Sequence, residues 1–90
     1  MNKRDLKRCI NGICRGLYAE CLEIALYHNK KREELENLDS LRLSIIDLHN
    51  DYIRRVSHVE PGMKPQAYFN DLTAKFEQQV NEIIDQINNL

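Results

Sequence analysis

The chain has 90 residues, 42% of them hydrophobic and 30% charged, and its 13 Lys and Arg nearly cancel its 14 Asp and Glu. That balance supplies enough apolar side chain to collapse and excludes a collagenous chain, a charged disordered tail and most disordered classes. No stretch approaches the ~18 uninterrupted apolar residues of a membrane span, and no apolar run follows Met1–Arg8 as a secretory signal would require.

The first element is marked by Asn2 and Asp5, a loose capping arrangement in which the Asn side chain accepts from an exposed N–H. Leu6, Ile10, Ile13, Leu17, Cys21, Ile24 and His28 then recur at steps of four and three, one stripe of an amphipathic helix. Asn29 suits a helix end, and Glu33, Glu34 and Glu36 suit the positive pole of a new helix, so a break is expected near residues 29–31. The alternative is one unbroken helix over 2–58. The second stripe is Leu38, Leu41, Ile45, Leu48, Tyr52 and Val56, flanked on one side by Leu35, Ile46 and Ile53. It ends in the turn sequence Ser57–Gly62, after which Pro65 fits the first position of a third helix. That helix carries Phe69, Leu72, Phe76, Val80, Ile83, Ile87 and Leu90 on one stripe.

No segment alternates with period two, so no strands are expected. Three helices, about 2–29, 31–58 and 65–90, joined by short connections, predict an all-α, antiparallel up-down-up bundle forming a single domain over 1–90. A core this small leaves little stability to spare, and self-association is the expected supplement.

The cysteines are an odd three, Cys9, Cys14 and Cys21, all within the first helical pattern. Cys14 and Cys21 lie about 10.5 Å apart along a helix axis, beyond the roughly 7 Å that a disulfide spans. Cys9 and Cys14 point about 140° apart at ~100° per residue. Reduced, mostly buried thiols in a cytoplasmic protein are expected.

Two surfaces stand out. On the first helix Leu22 and Leu26 fall at about 40° and 80° when the core stripe centres near 260°, with Gly12, Gly16 and Ala19 beside them at roughly 100–160°. Two leucines at i and i+4 next to three small residues predict a contact surface for another subunit or a partner helix, and Leu43 is a similar outlier on the second helix. Isolated exposed leucines, in contrast, need no explanation.

The second surface is basic. Arg4, Lys7, Arg8, Asn11 and Arg15 share a stripe, and antiparallel packing brings Arg54, Arg55 and His58 beside its start, with Lys64 in the following turn. Arg54 and Arg55 favour a helix C-terminus, but Lys3, Arg4, Lys7 and Arg8 oppose the dipole of a helix N-terminus, and a bound anion would reverse that penalty. Nucleic-acid phosphates or the acidic residues of a protein partner would both serve. No aromatic residue sits among these arginines as a stacking platform, and no helix-turn-helix spacing is evident.

No enzyme is expected, and neither a metal nor a cofactor. His28, His49 and His58 have no carboxylate, thiol or second histidine three or four residues away, and no Cys-x-x-Cys occurs. His49, inside the apolar arc of the second helix, reads as a partly buried histidine bonded to a neighbouring carboxylate or carbonyl; its functional alternative is a general base or pH-sensitive interface group. Glu20 and Glu23, Asp47 and Asp51, and Glu82 and Asp85 pair at helical spacing on solvated faces. The sequence thus points to a module that binds itself or another protein, with sequence-nonspecific nucleic-acid binding as the alternative and no small-molecule substrate evident.

Overall fold

The computed structural model describes residues 2–27, 31–59 and 61–90. They form three helices, α1 (Lys3–Tyr27), α2 (Arg32–Ser57) and α3 (Pro65–Asn88), and no strand. The bounds agree with the predicted elements to within about two residues. The predicted break, together with His28, lies largely outside the described residues, but Lys31 has extended backbone (φ −69, ψ 159). A helix running unbroken over 2–58 is therefore excluded.

Local chemistry sets the ends. Asn2 Oδ1 accepts from the Asp5 N–H at 2.8 Å, capping α1. Glu33 and Glu34 occupy the first turn of α2, and Arg54 and Arg55 its last, both complementing the helix dipole. Gly62 takes the positive φ (88°) that the turn after α2 requires, and Pro65 opens α3. The Tyr68 hydroxyl then donates to the carbonyls of Arg55 (2.8 Å) and His58 (3.2 Å), tying the start of α3 to the end of α2.

Directions follow from cross-helix partners. Asn11 meets His49 and Tyr18 lies under Arg42, so α1 and α2 run antiparallel. Tyr52 reaches both Phe76 and Gln79, while Arg55 reaches Tyr68, so α2 and α3 do as well. The bundle is slender, 49 × 18 × 16 Å. Its radius of gyration of 15.0 Å exceeds the roughly 12 Å expected of a globular chain of this length.

The core draws on all three helices. All six predicted α2 positions are buried, Tyr52 and Val56 completely. On α3, Leu72, Phe76, Ile83 and Ile87 are buried and Phe69, Val80 and Leu90 partly so. The α1 stripe needs a correction. Ile13 is 37% exposed and Cys14 (4%) takes its place in the core. The cause is the arrangement of the helices: α2 packs against both others, but α3 stands away from α1. The side of α1 facing α3 is therefore left open around Ile13, whereas the side turned toward α2 closes over Cys14.

Candidate docking groove and basic end

α1 and α2 carry a second seam, formed by these two helices alone. The shoulder of α1 (Cys14, Tyr18, Leu22) meets the flank of α2 (Ile45, Ile46, His49), and between them lies a mostly apolar groove of about 310 Å³. Asn11, Arg15 and Ala19 complete its lining on α1. Leu22 is half-buried, whereas Ile46 is 41% exposed.

The apolar residues singled out in the sequence divide between this groove and the surface around it. Leu22 and Ala19 line it. Leu26, one turn beyond Leu22, is 75% exposed, and Leu43, three residues before Ile46, is 63% exposed. Gly12 and Gly16 are exposed with open space around them and do not line the groove. The α2 wall was the missing half in the sequence. Its signal was present in the Leu35, Ile46 and Ile53 flank, of which Ile46 lines the groove.

Polar groups frame this seam. The His49 Nε2 contacts Asn11 Oδ1, and its Nδ1 lies 3.3 Å from Asn50 Oδ1. This is the partly buried, carbonyl-bonded histidine that its place in the apolar arc predicts. Two turns away, Arg42 stacks over the Tyr18 ring, 5.8 Å from its centroid, and pairs with Asp39 at 2.8 Å. The Nε of Arg42 is buried with no hydrogen-bond acceptor among the described residues.

The basic residues fall into two groups. Antiparallel packing sets Lys3, Arg4, Lys7 and Arg8 of α1, Arg54 and Arg55 of α2, and Lys64 before α3 at one end of the bundle. Arg55 pairs with Asp51 at 3.1 Å and lies over the Tyr52 ring at 5.0 Å, but that ring is fully buried and offers no stacking platform. Arg15 is elsewhere. It lines the groove, about 17 Å along the helix from Arg4 at 1.5 Å per residue. The end also gathers the positive poles of α1 and α3, and α3 has neither a side-chain cap nor an acidic residue in its first turn.

The remaining chemistry is quiet. Cys14 and Cys21 are free and buried, and burial pushes both thiols up; beside Cys21, Glu20 adds to the rise and Arg42 opposes it. Cys9 is free and exposed. A further groove, between α2 and α3, is lined mostly by polar side chains, with Asp47, Asp51 and Glu82 along it. Among the described residues no three His, Cys, Asp or Glu side chains are placed to hold a metal ion, and no helix is long and apolar enough to cross a membrane. Comparison with protein-family models, curated proteins and solved structures gives no match.

Proposed function

We propose that this chain is a non-enzymatic protein-interaction module in the cytoplasm, docking a helix of a second chain, a copy of itself or a different protein, on the second seam of α1 and α2. The observation that carries this reading is the apolar groove walled by Leu22 and Ile46, with Leu26 and Leu43 largely exposed beside it. A neighbouring helix would cover these side chains at i, i+3 and i+4 spacing, the way amphipathic helices anchor in grooves. The test replaces Leu22 and Leu26 by Glu. Association, whether with a second copy or with an added amphipathic helix, should be lost in sedimentation or light scattering while circular dichroism retains full helicity. Unfolding instead would mean that Leu22 serves the core and not a contact.

The basic end supports a second reading, sequence-nonspecific binding of nucleic-acid phosphate. The observation behind it is the gathering of seven Lys and Arg and two helix N-termini at one end of a chain whose net charge is −1. Titration into mixed-sequence single- and double-stranded nucleic acid at about 50 and 200 mM salt tests it, since displaced counterions make such affinity collapse with salt. No binding at the lower salt retires it.

A further inference from the structure

The groove and the basic end share one helical stripe. Arg4, Arg8, Asn11, Arg15, Tyr18, Leu22 and Leu26 follow one another along α1 at steps of three and four, so they lie on one side of it. The first half of this stripe is cationic and the second half apolar. Arg4, Arg8 and Arg15 are exposed and make no ion pair among the described residues. Their placement works against the helix: Arg4 and Arg8 are like charges at i, i+4, and both stand near the positive pole. The stripe is some 33 Å long, from position 4 to position 26 at 1.5 Å per residue.

We propose that the occupant of this seam is an amphipathic helix of a different protein, acidic in one half and apolar in the other, lying along the whole stripe. This rests on the reading of the groove as a docking site and supplies the chemistry of the partner. Leu22, Ala19 and Ile46 receive its apolar half, and its carboxylates meet Arg15, Arg8 and Arg4.

The charge pattern selects this occupant over the others. A second copy related by a twofold axis across the seam would set Arg8 of one protomer on Leu22 of the other, desolvating guanidinium groups against leucine. The most acidic helix of the chain itself, α3, carries Asp71, Glu77, Glu82 and Asp85 against Lys75 alone, but its apolar side is spent in its own core. Nucleic acid would satisfy Arg4 and Arg8 and leave Leu22, Leu26 and Ile46 uncovered.

Three labelled 21-residue helical peptides provide the probes. All share one apolar half, and the other half presents Glu, Gln or Lys on the same side. Fluorescence anisotropy against the full chain should rank them Glu, Gln, Lys, with roughly tenfold or more between the extremes at low salt. The R8E/R15E variant should reverse that order, since both side chains are exposed and the fold is left intact. Leu26→Glu, at a site already 75% exposed, should weaken all three peptides without unfolding the chain. Equal binding of the three peptides, still blocked by Leu26→Glu, would overturn the acidic half and leave the groove reading standing. If no peptide binds and the chain instead dimerises through the leucines, the inference fails in favour of a second copy. Binding of a mixed-sequence oligonucleotide, lost in R8E/R15E, with no peptide bound, overturns it in favour of phosphate.

Discussion

The start of α1 offers a direct test of whether its cations serve a partner at the expense of the fold. Arg4 is the second residue of the helix and exposed, four residues before Arg8. In Arg4→Glu an unfavourable charge at the positive pole becomes a favourable one, and an i, i+4 repulsion becomes a Glu–Arg attraction in the better orientation. Taking low values for exposed sites, about 0.3 kcal/mol for each dipole contribution and about 0.2 for each pair contribution, the change stabilises the chain by about 1 kcal/mol. For a domain of this size that raises Tm by roughly 4–8 °C. Thermal unfolding followed by circular dichroism in low-salt buffer measures it, and most of the gain should vanish near 0.5 M salt, where the Debye length falls to a few ångström. The same variant should bind the Glu-bearing peptide more weakly. A Tm that falls, or a rise that survives high salt, refutes the electrostatic reasoning.

Other expectations follow from the core. Ile10→Ala, at a fully buried site, should cost about 2–5 kcal/mol in urea unfolding, whereas Ile13→Ala, 37% exposed, should cost about 1 kcal/mol or less; similar losses would contradict the core assigned to α1. Gln79 Nε2 donates to Tyr52 Oη at 2.9 Å; Tyr52→Phe should lose about 1 kcal/mol and keep its edge-on packing against Phe76. Burial raises the Cys14, Cys21 and Tyr52 groups above their ordinary values. Each binds its proton more tightly when folded, so stability is full below the unfolded thiol value near 9 and falls as pH rises beyond it, first for the thiols and then for Tyr52. Urea midpoints at pH 8 and pH 10 should differ in that direction, and Cys14→Ala should shrink the difference.

The fold was legible because period alone carries it: the α2 stripe is buried at every predicted position, and Pro61, Gly62 and Pro65 punctuate the connection between α2 and α3. What escaped depends on how far the helices stand apart, which no single-helix pattern encodes. Ile13 belongs to the α1 stripe by spacing, yet the separation of α3 from α1 leaves it open and brings Cys14 inward. The site was half legible for the same reason. Leu22 announced itself on α1, but Ile46 and His49 became its partners only once Asn11 had met His49 across the pair. Arg15 went the other way: its stripe placed it with the basic end, and its height along the helix places it in the groove.

The glycines of α1 decide how far around the helix the contact extends. A glycine within a helix costs about 1 kcal/mol relative to alanine. Gly12 and Gly16 are both exposed, and a Cβ at either would meet nothing within 4 Å. Gly12→Ala with Gly16→Ala should therefore stabilise the chain by about 2 kcal/mol and raise Tm on the order of 10 °C. Neither residue lines the groove, so if the docking surface ends at Leu22, Ala19 and Ile46, the double variant keeps its affinity for the acidic peptide. Small residues on an outer helical face also permit close helix approach, and there two methyl groups would be felt. An unchanged affinity with the expected rise in Tm confines the site to the seam of α1 and α2. A rise in Tm with a lost affinity means that the partner wraps past Ala19 onto the glycine face. A fall in Tm would contradict both, because it requires a neighbour against those glycines that the open space around them excludes.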